Sequence, residues 1–268
     1  VSVQFGRGRY SASELMSFQK CERRHWLKRV AGLDEPVVTV SDAGRDITAS
    51  GGMSAIQYGV IVHDVLEHAD HDMDVGELVD AAASRWEADR DSGRGVDPAE
   101  RQRLVAEIEK TLGRPEYREM RDAPGAMREL AFTFIDDDGC FEGTLDLVAP
   151  SSTGYGVLDV KTGGSSVSNG EPREMSAERY ELQRALYCRA VAALTGKPVS
   201  KFVFDFTATG VQTQSIPDTV SAARDEVLLE ERLKRLKEGR SDRTHDSSEC
   251  RFCGYRSAGW CPGANVEI

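Results

Sequence analysis

The sequence predicts an α/β fold, in which a central mixed β-sheet is flanked by helices and extended by an added helical lobe and a C-terminal cysteine cluster. Three observations predict it. Apolar residues recur at helical spacing up to about residue 113, at period two from about 128 to 161, and at helical spacing again from about 177. The turn sequences DDDG and SSTG separate the period-two runs, as strand connections require. Cys250, Cys253 and Cys261 crowd the run CRFCGYRSAGWCPG while Cys21 stands far upstream, which suggests a metal site pinning distant parts of the chain together.

The elements follow in order. A capping-box pattern, Ser11 to Glu14, opens a helix expected over 12–30, with Leu15, Phe18, Trp26 and Leu27 on its apolar side. Residues 32–55, rich in Gly, Ser, Asp and Thr, read as a loop. Ile61, Val62, Val65, Leu66 and Ala69 form the buried stripe of a helix over 56–70. Helices over 75–91 and 98–113 carry fewer apolar anchors and are expected to form the outer lobe, an insertion spanning about 72–125 of a single domain. Strands are expected at 128–135, 140–148 and 155–161, then a helix over 177–195. KFVFDFTATGVQTQSI reads as a hairpin turning at Thr209-Gly210, and Pro217-Asp218 opens a last helix running to about Gly239.

The 268 residues suffice for one large domain, and an apolar share of 40% sustains a packed core without staples. No run approaches the ~18 apolar residues of a membrane span. VSVQFGRGRY lacks the apolar core of an export signal, so a soluble, cytoplasmic protein without a membrane partner is expected. There the six cysteines are read as reduced or metal-bound rather than disulfide-linked, with Cys140 and Cys188 as unreactive core residues. The net charge of −11 argues mildly against nucleic acid, yet residues 1–30 carry seven Lys and Arg against two Glu. Arg23, Arg24 and Lys28 in that stretch are candidate contacts to a phosphate backbone. On charge alone, a solvated helix face is the simpler account.

Asp146 closes FEGTLD, and Asp159 and Lys161 sit two apart on the next strand, pointing to one face with Val160 turned into the core. Pairing through the SSTG turn brings Asp146 and Asp159 within reach of one ion. Two carboxylates suit Mg²⁺ or Mn²⁺, and the Val160 carbonyl offers a further oxygen. A lysine beside them makes sense for phosphodiester hydrolysis, where it positions water or neutralises charge building on the phosphoryl oxygens. Taken alone, Asp-x-Lys is also common surface decoration. His63, four residues before Glu67, and the Tyr180, Gln183 and Tyr187 face of YELQRALY are each compatible with ordinary amphipathic helices.

GVIVHDVLEH, GTLDL, VLDVKTG and YELQRALY in that order, bracketed by Cys21 and the C-terminal cysteines, form a more specific signature. The combination resembles the RecB-like branch of the PD-(D/E)XK nuclease superfamily, with its restriction-endonuclease-like core, over roughly Ser11 to Pro262. The matching group is the iron–sulfur one that includes CRISPR-associated RecB-like exonucleases, the AddB nuclease domain and exonuclease V. The resemblance implies a metal site of His63, Asp146, Asp159 and the Val160 carbonyl, Lys161 as catalytic lysine, and Gln183 and Tyr187 as support. It also implies a [4Fe–4S] cluster on Cys21, Cys250, Cys253 and Cys261. Spacing alone leaves structural Zn²⁺ equally open. The activity implied is a metal-dependent DNA exonuclease acting on single strands or free ends. No GxxxxGK[ST] loop is present, so unwinding would fall to a separate helicase. Two alternatives are a CRISPR-adaptation nuclease trimming prespacer ends beside an integrase, and a non-catalytic DNA-binding assembly module.

Overall fold

The computed structural model describes residues 8–36, 53–70, 72–90, 96–162, 167–168, 171–172, 180–207, 209–215, 217, 219–244 and 249–263. Most of the loop expected over 32–55, the first residues of the helix expected from 177, and Asp218 therefore lie outside the described residues.

Strand β1 (Gly8–Ser11) leads into α1 (Ala12–Lys20), whose first turn is capped by Ser11 Oγ accepting from Glu14 N at 3.1 Å. The helix expected over 12–30 is in fact two. Cys21 takes an extended backbone (φ −163°, ψ 106°), ends α1 and caps α2 (Glu22–Arg29), its Sγ accepting from Arg24 N at 3.5 Å. The break has a packing cause. Ala12, Leu15 and Phe18 bury into the main core, whereas Leu27 joins a separate cluster with Cys253, Tyr255 and Cys261. One straight helix cannot serve both.

Helices α3 (Ala55–His68), α4 (Val75–Arg90) and α5 (Pro98–Leu112) follow close to their expected bounds. A further helix, α6 (Pro115–Arg121), starts on a proline whose missing N–H is harmless in a first turn, and buries Tyr117 and Met120. Then come β2 (Met127–Ile135), β3 (Gly139–Pro150), β4 (Tyr155–Lys161) and a short ribbon of β5 (Val167–Ser168) and β6 (Glu171–Pro172). Helix α7 (Glu181–Thr195) ends on Gly196 at φ 69°, a left-handed cap that glycine accepts without penalty. The chain continues through β7 (Val199–Phe206), β8 (Val211–Ser215), α8 (Thr219–Lys237), a 3₁₀ turn at Glu249–Phe252 and α9 (Gly254–Ser257).

The sheet order is β1-β3-β4-β7-β8, with β2 also on β3; β1/β3 and β4/β7 are parallel and the other pairs antiparallel. This is the mixed sheet expected. Helices α1, α7 and α8 cover one face through Phe18, Leu186 and Leu233, packed on Phe141, Leu145 and Phe202. Helices α3 to α6 cover the other through Val62, Val65, Leu104 and Met120, packed on Leu147, Leu158 and Val160. The helices expected as a lobe thus share a core with the sheet. Burying each such side chain is worth about 1.5–3 kcal/mol.

The middle of β3 is where the sheet opens. β2 runs along one edge of β3 from Ile135–Cys140 to Met127–Val148. β1 and β4 share the other edge, β1 against Gly139–Glu142 and β4 against Leu147–Pro150. The β3–β4 ladder stops at Leu147–Leu158, so Asp146 and Asp159 occupy the first step after the strands part. Side-chain alternation also reverses there. Phe141, Leu145 and Val148 face the α1/α7/α8 core, while Leu147 and Ala149 face the other. On β2, Leu130, Phe132, Phe134 and Met127 face the α1/α7/α8 core, so the phase reverses there too. The residues at the two reversals, Glu129 and Asp146, are opposite each other in the register that flanks them. Glu129 has φ 43°, the one positive φ at a non-glycine among the described residues, a conformation that costs about 1–2 kcal/mol.

Candidate active site

Four elements meet at this opening. Helix α3 seats itself with Ile61, Val62, Val65 and Leu66, all 5% exposed or less, which leaves His63 at the edge of its buried stripe. His63 Nδ1 stands 3.0 Å from Glu129 Oε1 and 3.6 Å from Asp146 Oδ1. One donor atom each from His63, Glu129 and Asp146 lies within 4.8 Å of the others. The second Asp146 oxygen accepts from the Val160 N–H at 2.6 Å, replacing the strand partner lost where β3 and β4 part. Val160, expected to contribute through its carbonyl, thus also touches the site through its N–H.

Asp159 and Lys161 share a face of β4, as their spacing requires, and form an ion pair. Asp159 is 1% exposed. Gln183 on α7 ties the group together: its Nε2 donates to Asp159 Oδ1 and to the Tyr187 hydroxyl, both at 2.9 Å, and its Oε1 accepts from Lys161 Nζ at 2.8 Å. The Lys161 ammonium also lies 4.7 Å from the ring centroid of Tyr180. The carboxylate of Asp159 is therefore engaged by Lys161 and Gln183. His63, Glu129 and Asp146 form the most compact donor set, and the expected Asp159 stands beside it, close enough to raise Asp146 and paired with Lys161.

Electrostatics couple the two groups. Burial, then the neighbouring Asp159 charge, push the Asp146 carboxyl up to about 7. Burial opposes a charge on His63, but Asp146 and Glu129 together outweigh it and push the imidazole up to about 9. A buried carboxyl raised by its neighbours is short of positive charge. Two carboxylate oxygens and an imidazole nitrogen are donors that hold Mg²⁺ or Mn²⁺, so these residues fit the divalent ion expected.

The cysteines gather elsewhere. Cys21, Cys250, Cys253 and Cys261 line one cavity, all as free thiols, and burial followed by the neighbouring Cys21 and Cys253 raises the Cys250 thiol. Glu35 fastens the C-terminal segment to α2, accepting from Gly254 N and from Arg24 Nε, each at 2.9 Å. Tyr255, fully buried, donates to the Leu33 carbonyl at 2.6 Å. Residue 254 must be glycine here, because a Cβ would stand 1.8 Å from the Pro36 carbonyl oxygen. Of the three candidate backbone contacts, Arg24 is taken by Glu35, Arg23 lies 5.1 Å over the Trp26 ring, and Lys28 is solvent-exposed.

Glu129 and Tyr180 are the site residues that sequence reasoning missed. Glu129 had a signal. Counting outward from the DDDG turn places it opposite Asp146 on the adjacent strand. Tyr180 had none beyond its helical spacing.

A family model described as the PD-(D/E)XK nuclease superfamily matches residues 9–262. Among solved structures, a Eubacterium rectale protein provisionally named an exonuclease is similar in fold, with a TM-score of 0.54 and 14% identity over 90% of this chain and 86% of that one. Another, SSO0001, has a TM-score of only 0.37 at 16% identity, over 80% of this chain and 99% of that one. No curated protein matches the sequence.

Proposed function

We infer the function from one premise, that this chain belongs to the PD-(D/E)XK nuclease superfamily. It is a nuclease, and we propose a divalent-ion-dependent exonuclease acting on single-stranded DNA or DNA ends. The observation that carries this reading is the fork of β3 and β4, where His63, Glu129 and Asp146 converge beside the Asp159–Lys161–Gln183 group. The chemistry a bound divalent ion supplies at such a site is a water of lowered pKa and a polarised phosphoryl oxygen. His63, Glu129 and Asp146 hold the ion; Asp159 and Gln183 aim Lys161. The ammonium then offers a fixed positive charge to phosphoryl oxygens as negative charge builds on them. Tyr187 fixes the Gln183 amide, and the Tyr180 ring supports the ammonium from one side. Lys161→Ala is expected to slow cleavage of an end-labelled single strand by about 10²–10³-fold with the fold unchanged. Wild-type digestion by that variant would remove Lys161 from the chemistry.

Ion binding competes with protons at the same atoms. Asp146 at about 7 and His63 at about 9 must both lose a proton to become ligands, so affinity rises with pH across that window. The thermal shift given by a fixed Mn²⁺ concentration is expected to be several-fold larger near pH 8.5 than near pH 6. A pH-independent shift would place the ion elsewhere.

The cysteine cavity is read as the seat of a [4Fe–4S] cluster. The support for it is that one upstream and three downstream cysteines line a single cavity, an arrangement whose four thiolates also suit Zn²⁺. Iron and zinc analysis of the purified protein decides between the two.

A further inference from the structure

We propose that a second cavity, beside the cysteine cage and separate from the carboxylate fork, binds a phosphate group of a nucleic-acid strand. The proposal rests on the nuclease reading for the source of that phosphate, but its chemistry stands on its own. The end of α1, the last turns of α8 and residues 242–244 build the cavity, which Cys21 shares with the cage.

Its charge is unusual for a chain of net −11. Lys20, Arg232, Arg235 and Arg243 line it against only Glu22 and Asp242. Both carboxylates are already engaged. Glu22 accepts from Arg235 at 2.6 and 2.9 Å and from Asp242 N at 3.2 Å. Asp242 Oδ2 accepts from Arg235 and Arg240, each at 2.8 Å.

Three cations are left over. Lys20 is exposed and has no hydrogen-bond or ion-pair partner among the described residues. Among the described residues, the Arg243 guanidinium makes one long bond, 3.4 Å, to the Gly263 carbonyl. Arg232 reaches Glu22 only at 4.0 Å, and its Nε is shielded from solvent with no acceptor. A shielded, unbonded N–H is unfavourable, and it marks where an incoming acceptor gains most. Phosphate presents several acceptor oxygens in a geometry that guanidinium forks match, with the lysine as a point charge. No carboxylate of the lining remains free to oppose it.

A strand phosphodiester, inorganic phosphate and a mononucleotide share this chemistry, so the test has two arms. The first reads binding of a fluorescein-labelled single-stranded oligonucleotide in EDTA across a KCl series, for the wild type and for Lys20→Ala/Arg243→Ala. The expected result is about 10-fold weaker binding at low salt, and a log K against log [KCl] slope shallower by about 0.7 for the one strand phosphate lost. The second arm reads the thermal shift given by inorganic phosphate and by dAMP. A shift lost in the double variant while oligonucleotide binding stays unchanged assigns the cavity to free phosphate. Lys20→Arg is expected to retain binding and Lys20→Glu to lose it, which separates charge from folding. If neither arm tells the variants from the wild type, the cavity binds no phosphate and the proposal falls. Binding is read without turnover, so a wild type that fails to cleave would defeat the nuclease reading and leave this result intact.

Discussion

Asp146→Asn is expected to reduce cleavage by at least about 10³-fold and, in EDTA near pH 8, to raise the melting temperature by roughly 2–8 °C. The two effects share one cause. The Asp146 carboxyl is pushed up to about 7 by burial and by Asp159, from an ordinary 3.8. A folded-state pKa above the unfolded one means that folding favours the protonated form. The group's stabilising contribution is then complete below the unfolded value, and is lost as pH rises through about 7. Near pH 8 the ion-free protein carries that penalty in full, with an upper bound of about 4 kcal/mol at about 1.4 kcal/mol per unit. Part of it is returned by His63, whose imidazolium Asp146 helps to hold. Asparagine keeps an oxygen for the Val160 N–H and removes the charge, but it also removes a ligand. A variant that melts well below the wild type in EDTA would show the carboxylate to be a net support of the fold. One that cleaves normally would dissociate it from the reaction.

If the cage holds the proposed cluster, Cys21→Ser is expected to lower the melting temperature by on the order of 10 °C and to release its iron, because binding energy at such a cage is also folding energy. Serine is chosen because it is a strong helix N-cap. It can replace the Cys21 sulfur in front of Arg24 N, so α2 itself has no reason to fray. What is lost is the tie between α1–α2 and the segment carrying Cys250, Cys253 and Cys261. The Glu35 and Tyr255 hydrogen bonds remain, which keeps the expected loss short of global unfolding. Unchanged metal content together with an unchanged melting temperature would remove Cys21 from the cage.

Much of the architecture was legible because it is periodic. Ile61, Val62, Val65 and Leu66 mark α3, and the alternation through Leu130, Phe132 and Phe134 marks β2; both elements lie where the pattern puts them. The misses have physical causes. The break at Cys21 has no Gly or Pro to announce it; it comes from two cores competing for one helix. Helix α6 is seven residues long, too short to show a period. At the site, the Asp159–Lys161 pair could be read from strand geometry alone, because residues two apart must share a face. Glu129 was hidden because the alternation of β2 reverses at that residue, and a pattern search assumes that it does not.

The cavity that collects Cys21 with Cys250, Cys253 and Cys261 has a temporal side. During translation, at roughly 5–20 residues per second, Cys21 leaves the ribosome on the order of ten seconds or more before Cys250 is made. A growing chain halted in that interval carries only one of these four sulfurs. Under the proposed cluster reading, loading would act as a completion mark, and the iron-to-protein ratio of a preparation would count its finished molecules.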